Sequence, residues 1–253
     1  MILVDTHSHL DRYKEPGPII ERAKSAGLRS IITCGIDKET NRKALEIAER
    51  YDIVRPALGI YPLDALGEER GAGVIFDIDQ EVDFIEKNTS KIIAIGELGL
   101  DYYNGKDKER QKKVFQKLLD LAKKINKPLS IHSRKAEKDV VQILESSSLK
   151  NSQIILHCFS GKKGLIKKAA DYGWNFSIPA NIVRAENFQS LVRNVNLSQI
   201  LTETDSPWLS PFKEKQNEPA FIIETIKEIA KQKGMDIEEV ANNIWMNYQR
   251  IFL

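Results

Sequence analysis

Short apolar runs alternate with longer amphipathic segments along almost the whole chain. Eight runs are rich in Val, Ile and Leu, which is typical of strands buried on both faces of a sheet. These runs occupy residues 2–7, 30–35, 53–62, 91–97, 128–133, 153–159, 174–179 and 199–205. We therefore predict eight strands, each followed by a segment with the periodicity of a helix.

The intervening segments place apolar residues at helical spacing and have recognisable ends. The first has Pro16 just inside its start and Gly27 at its end, where these residues usually occur. Helices are predicted over residues 15–27, 38–51, 79–88, 108–126, 134–147, 162–173, 185–195, 218–234 and 236–252. Strands that alternate with helices pair in parallel through right-handed crossovers.

Eight strand–helix units in 253 residues match the size of a (β/α)8 TIM barrel, an α/β fold. We predict one such domain over residues 1–253. The alternative is a doubly wound open sheet, which usually has fewer strands and often carries a Gly-rich phosphate loop. The chain contains neither GxGxxG nor GxxxxGK[ST], which favours the barrel.

Composition excludes some classes of protein. The chain has 38 Lys and Arg against 36 Asp and Glu, so its net charge of +2 argues against coating nucleic acid by bulk charge. Cys34 and Cys158 lie in apolar runs, and we predict that both are buried thiols. There is no long apolar run and no basic leader, so we expect a cytoplasmic chain without a membrane span.

All four histidines lie at the carboxyl end of a predicted strand, which is the active-site face of a barrel. His7 and His9 follow the first strand and face the same way, since residues i and i+2 share a face. His132 lies near the carboxyl end of the fifth predicted strand, and His157 near that of the sixth. One such histidine is usually a hydrogen-bonded structural residue, but four in this place favour a metal site.

Carboxylates end two further predicted strands, Glu97 on the fourth and Asp205 on the eighth. An acidic side chain is costly there unless it is paired or bound to metal. The predicted ligands are His7, His9, Glu97, His132, His157 and Asp205. Six nitrogen and oxygen ligands suit two adjacent divalent ions that share a carboxylate and leave positions for water and substrate.

Other polar and aromatic residues near these strand ends have two interpretations each. Glu203 lies two residues before Asp205 and so faces the same side of a strand. It is either a hydrogen-bond acceptor for a ligand or a plain polar residue of the barrel. Arg134, just past His132, is either a substrate-binding residue that holds a phosphate oxygen or a solvated arginine. Trp208 and Phe212 either stack an unpaired base or pack as part of a lid.

Several motifs together resemble the TatD family of metal-dependent hydrolases, which are TIM barrels of the amidohydrolase type. They are "DTHSHLD", "AIGELGLDYY", "PLSIHSRKA", "ILHCFSG", "LTETDSPWLSP" and the later "NEP". They extend from residue 5 to residue 219 in family order. The resemblance implies a divalent-metal-dependent deoxyribonuclease that cleaves phosphodiester bonds with a metal-activated water, often as a 3′-to-5′ exonuclease on single-stranded DNA.

The resemblance also implies a role for each predicted ligand. His7 and His9 bind one metal, while His132 and His157 bind the other. Glu97 is expected to bridge the two ions. Asp205 is expected to be a ligand and the general base, so Asp205 and Glu97 are the predicted catalytic residues.

One position departs from the family pattern. Many members have a histidine in a "GxHP" segment after the third strand, whereas this chain reads "GIYP" with Tyr61. The departure concerns a substrate contact, so a second hypothesis keeps the dinuclear site and changes the substrate to a small ester, amide or phosphoester. A third is a binding or scaffold protein with an idle site.

The expected cofactors are two divalent ions. By ligand hardness, an imidazole-rich site suits Zn, Mn, Fe or Ni better than Mg, although the family is often described as using Mg. The choice among Mg, Mn and Zn stays open at this point. The expected partner is DNA with single-stranded ends, and no obligate protein partner is evident.

Overall fold

The computed structural model describes residues 1–66 and 77–253. Within them, a parallel sheet contains eight strands in the order in which they occur along the chain. The strands are β1 (Leu3–Ser8), β2 (Leu28–Cys34), β3 (Val54–Leu58), β4 (Ala94–Asp101), β5 (Leu129–Arg134), β6 (Ile154–His157), β7 (Asn175–Ile178) and β8 (Ile200–Thr202). Each predicted strand is therefore present.

The sheet closes on itself between β8 and β1. The Thr6 hydroxyl donates to the Thr202 carbonyl at 2.9 Å, and the Thr202 hydroxyl donates to the Val4 carbonyl at 2.8 Å. A parallel bridge between Ser8 and Ser206 continues the contact past the end of β8. The predicted (β/α)8 TIM barrel is confirmed, and the open sheet is excluded.

Helices surround the barrel and agree with the predicted segments to within a few residues. They are α1 (Pro16–Ser25), α2 (Lys38–Arg50), α3 (Ile78–Lys87), α4 (Lys108–Ile125), α5 (Glu137–Glu145), α6 (Lys163–Asp171), α7 (Glu186–Asn194), α8 (Ile222–Lys233) and α9 (Ile237–Phe252). Local chemistry explains several ends: the Asp37 carboxylate caps α2 by accepting from the Thr40 amide, and α8 ends at Gly234 with a φ of 63°. No helix of the described residues is both long and apolar enough to cross a membrane.

Three predicted strand ends are wrong by three residues or more. The prediction continued the third strand to residue 62, but β3 ends at Leu58. The prediction stopped β4 at Glu97, but the strand continues to Asp101 because Leu98 and Leu100 are fully buried and pair with β5. The prediction continued the eighth strand to Asp205, but β8 ends at Thr202. Asp205 adopts a φ of 53°, which turns the chain away from extended geometry.

Candidate metal centre

The imidazoles of His7 and His9 face one another at the carboxyl end of β1. Their Nε2 atoms are 3.2 Å apart. In each ring the other nitrogen is held by a residue of another strand: His7 Nδ1 lies 2.8 Å from the Ser130 hydroxyl, and His9 Nδ1 lies 3.0 Å from the Cys34 carbonyl. These contacts fix both rings so that each Nε2 faces the centre of the barrel mouth.

The second pair of imidazoles is fixed in the same manner from β4 and from the loop after β8. His157 Nδ1 lies 2.8 Å from Glu203 Oε2, so its Nε2 faces the centre. His132 uses its nitrogens the other way round. Its Nε2 lies 3.4 Å from Asp101 Oδ2 and 3.3 Å from the Tyr61 hydroxyl, which leaves Nδ1 for the centre.

Glu97 lies between the two pairs, with one carboxylate oxygen toward each. Its Oε2 is 3.6 Å from His7 Nε2 and 3.5 Å from His9 Nε2. Its Oε1 is 2.8 Å from His132 Nδ1 and 3.9 Å from His157 Nε2. Two groups of three side chains, each able to hold a metal ion, therefore share this one carboxylate.

Asp205 completes the cluster from the side of the solvent. Its Oδ1 is 3.5 Å from His9 Nε2, and its amide donates to the His7 carbonyl at 2.9 Å. The Asp205 side chain is 16% exposed, compared with 6% for Glu97. The structure thus brings all six predicted ligands together, and Asp205 is the more exposed of the two predicted carboxylate ligands.

The donor atoms fit divalent metal ions. Ligands that bind one ion at about 2.1 Å lie about 3 to 3.5 Å from one another, and the separations around Glu97 are close to this range. The donors are imidazole nitrogens and carboxylate oxygens, which suit first-row divalent ions. Burial of so many ionisable groups is costly without a compensating charge, and divalent cations would supply it.

Without metal, protonated imidazoles balance the negative charge of the carboxylates. Burial disfavours a charged His9, but hydrogen bonds to Asp205 and Glu97 outweigh it and raise the pKa of His9 to about 10. Burial likewise opposes a charged His157, but Glu203 raises its pKa to about 9. Burial would raise the pKa of Glu97, yet its hydrogen bonds with the surrounding imidazoles hold that pKa well below its usual range.

Asp101 and Tyr61 also belong to the site: Asp101 had no predicted role, and Tyr61 was singled out only as a departure at a substrate contact. The Tyr61 hydroxyl donates to Asp101 Oδ2 at 2.8 Å. Burial opposes ionisation of Asp101, but hydrogen bonds from His132, Asn104 and Tyr61 lower its pKa to about 2. Asp101 was missed because the prediction ended β4 at Glu97. Its position could have been inferred from the sequence, because residues 97 and 101 point to the same face of a continuous strand.

Glu203 is fully buried and accepts several hydrogen bonds near the centre. The groups that donate to it include His157 Nδ1, the Cys158 amide at 3.0 Å and the Ser177 hydroxyl. Of the two interpretations, the structure favours the hydrogen-bond acceptor for a candidate ligand.

Cys34 is buried as predicted. Cys158 is a correction: it is half-buried and lines the cavity, because the chain leaves β6 there with a φ of 44°.

A cavity of about 730 Å³ opens above the cluster. Arg134 lines it and is exposed, with its guanidinium carbon 4.2 Å from the centre of the Tyr103 ring. Trp208 also lines it, 49% exposed, and its ring meets that of His9 edge-on at 5.2 Å. Phe212 instead packs against the Phe221 ring at 5.0 Å, which favours its packing interpretation.

Comparison with known proteins agrees with the fold and identifies the family. Residues 4–253 match the family model described as TatD related DNase. The chain is 35% identical to the putative deoxyribonuclease TATDN3 of Mus musculus, over 99% of this chain and 88% of that protein. It is 33% identical to the uncharacterized metal-dependent hydrolase YabD of Bacillus subtilis, over 99% of each.

A solved structure shows the same architecture over the same length. The TatD homologue YJJV of Escherichia coli superposes with a TM-score of 0.86 and 25% identity, covering 99% of this chain and 97% of that one. The predicted resemblance is confirmed. The chain belongs to the TatD family of metal-dependent hydrolases, enzymes that act on ester bonds.

Proposed function

We propose that this chain hydrolyses DNA phosphodiester bonds at single-stranded ends, with two divalent ions held around Glu97. The observation that carries the proposal is the position of Glu97 between two imidazole pairs, at the floor of a cavity whose rim carries Arg134. Removal of nucleotides in the 3′-to-5′ direction is part of the proposal. The names of the TATDN3 relative and of the family model support DNA as the substrate.

His7 and His9 would hold one ion, His132 and His157 the other, and Glu97 both. Two such ions supply an activated water and neutralise charge on the phosphate oxygens. The chain's own residues set the geometry: Ser130, Asp101 and Glu203 fix three of the four imidazoles through their second nitrogens, and the Cys34 carbonyl fixes His9. Asp205, at the edge of the cavity, accepts the proton of the attacking water.

Substrate contacts are proposed at the rim of the cavity. The planar guanidinium of Arg134 would hold a phosphate oxygen of the chain being cleaved. Its stacking on Tyr103 restricts the side chain at the cavity edge. The exposed ring of Trp208, which adjoins His9, offers a surface on which an unpaired base stacks.

Metal binding should release protons. The raised pKa values of His9 and His157 mean that both imidazoles are protonated below about pH 8, and a nitrogen must lose its proton before it binds metal. Affinity for Mn²⁺ or Zn²⁺ should therefore increase as the pH rises from 6.5 to 8. Calorimetric titrations in buffers of different ionisation enthalpy measure the protons released. Equal heats in all buffers would contradict protonated ligands.

Replacing Arg134 with Ala should raise KM for a single-stranded oligonucleotide about fivefold and leave kcat nearly unchanged. The expected loss is about 1 kcal/mol, because the contact is charge-assisted but exposed to solvent. Arg29→Ala is the matched control, since it removes the same charge from an exposed position at the opposite end of the barrel. An unchanged KM in Arg134→Ala would rule out the phosphate contact.

A second candidate is hydrolysis of a small ester, amide or phosphoester by the same site. One observation favours it: among the described residues that line the cavity, Arg134 and Lys135 are the basic side chains other than histidine, which is few for a long polyanion. The altered "GIYP" segment also favours this candidate. Tyr61 stands where many members of the family have a histidine, and its hydroxyl donates to Asp101. The dinuclear proposal is common to both candidates.

One experiment separates the two candidates. End-labelled single- and double-stranded oligonucleotides and a panel of small esters are incubated with protein supplied with Mg²⁺, Mn²⁺ or Zn²⁺ in turn. We expect metal-dependent shortening of the single strand from its 3′ end. Turnover of small esters with intact oligonucleotides would overturn the DNA proposal and support the second candidate.

A further inference from the structure

The Cys158 thiol lies in the candidate metal centre, yet the proposed hydrolysis does not use it. It directly follows His157 and lines the cavity. Its Sγ donates to Glu203 Oε1 at 3.0 Å, while His157 Nδ1 contacts Glu203 Oε2 at 2.8 Å. One buried carboxylate therefore holds a thiol and an imidazole side by side at the cavity wall.

Cys158 forms a second set of possible ligands with two residues that the proposed function uses. Its Sγ, a ring nitrogen of His157 and a carboxylate oxygen of Asp205 all lie within 4.8 Å of one another. A tetrahedral ion with sulfur at about 2.3 Å and nitrogen at about 2.0 Å needs ligands about 3.5 Å apart. A small movement of these side chains, which border an open cavity, would bring them to that distance.

The two donor sets that contain His157 differ in chemistry. With Glu97 and His132 it offers nitrogen and oxygen, which accept Mg²⁺ or Mn²⁺ as well as softer ions. With Cys158 and Asp205 it offers sulfur as well, and thiolate sulfur selects soft ions. The two donor sets therefore favour different classes of cation.

We propose that His157, Cys158 and Asp205 form an inhibitory site for thiophilic divalent cations, namely Cd²⁺ and excess Zn²⁺. Binding there withdraws His157 from the group around Glu97 and removes Asp205 as the base. The inhibitory effect rests on the proposed function, whereas the binding itself does not. On binding, the S–H bond breaks and a metal–sulfur bond forms. The proton leaves along the hydrogen bond to Glu203 and then passes to the buffer, with no change of oxidation state.

Cys34 is the natural control for this proposal, as it is the other cysteine of the chain. Its Sγ lies 3.6 Å from His7 Nδ1, the nitrogen that already contacts Ser130. Cys34 is fully buried, and within residues 1–66 and 77–253 it belongs to none of the groups able to hold a metal ion. A metal-dependent change that is lost on substitution of Cys158 but not of Cys34 therefore indicates binding at the proposed site. It cannot be explained by the number of thiols in the chain.

The binding test uses the full chain, stripped of metal and titrated with CdCl₂. Thiolate ligation produces a charge-transfer absorption band in the ultraviolet. We expect the unmodified chain and Cys34→Ser to develop the band with one equivalent of Cd²⁺, and Cys158→Ser to lack it. A retained band in folded Cys158→Ser overturns the site. The cadmium NMR spectrum of the unmodified chain tests thiolate ligation without any substitution, and a spectrum without a thiolate resonance also overturns it.

The inhibition test measures hydrolysis in saturating Mn²⁺ as Cd²⁺ or Zn²⁺ is added, with each variant compared with its own uninhibited rate. The concentration needed for half inhibition should be at least about tenfold higher in Cys158→Ser than in Cys34→Ser. Equal sensitivity with a lost absorption band overturns the inhibitory role. Absence of all hydrolysis overturns the proposed function, and the band then still decides whether the site exists.

Discussion

Replacing Glu97 with Gln should lower phosphodiester hydrolysis by about a thousandfold and reduce bound metal below two equivalents per chain. Each carboxylate oxygen of Glu97 faces one imidazole pair. The amide keeps the shape but loses the charge and one of the two acceptor oxygens, so it no longer bridges. A loss of about 4 kcal/mol of transition-state stabilisation corresponds to this factor.

The measurements are kcat on an end-labelled oligonucleotide and the metal content after equilibrium dialysis. Glu137→Gln is the matched control: Glu137 is a half-buried carboxylate that lines the same cavity, and no group of the described residues able to hold a metal includes it. The control should retain both ions and most of its rate. Two equivalents of metal and an unchanged rate in Glu97→Gln would contradict a bridging role.

Much of the site could be predicted from sequence because, in a barrel, a residue at the carboxyl end of a strand lies at the active-site rim. Whichever strand carries a residue, the carboxyl ends of all eight strands meet at one rim. His7, His132 and His157 needed only approximate strand ends to be placed together, and the apolar runs supplied these. The six predicted ligands converge in the structure for this reason.

Orientation of the rings could not be predicted, because it depends on contacts between strands. His132 faces the centre with Nδ1, whereas His7 and His9 do so with Nε2. The difference arises from Asp101 and Tyr61, which hold His132 by its other nitrogen. Tyr61 is far from His132 in sequence, and no local pattern links a tyrosine on one loop to an imidazole two strands away.

The missed features share a physical origin. Asp101 and Cys158 were misjudged because local polarity or apolarity was taken to mark where a strand ends. In a barrel mouth, hydrogen bonds and a few positive φ values set those ends instead. The residues misjudged in this way lie at the site. Functional sites are where a structure is expected to depart from what local sequence patterns predict.

Replacing Asp205 with Asn should lower kcat by between about a hundredfold and ten-thousandfold, with KM for DNA little changed. Burial would raise the pKa of Asp205, but the hydrogen bond to His9 and the charges of the neighbouring imidazoles lower it. The carboxylate is therefore ionised at neutral pH and ready to accept a proton. Asparagine fills the same space without that capacity.

Saturation with metal separates the two roles of Asp205. His7, His9 and Glu97 form a complete group without Asp205, so Asp205→Asn should still bind an ion there, with reduced affinity. If Asp205 is the base, the loss of kcat persists when Mn²⁺ is raised until binding is complete. If it serves as a ligand alone, excess metal restores the rate to that of the unmodified chain, and the assignment of the base is wrong. Glu137→Gln, tested over the same range of metal concentrations, shows how much of any change reflects loss of a nearby negative charge.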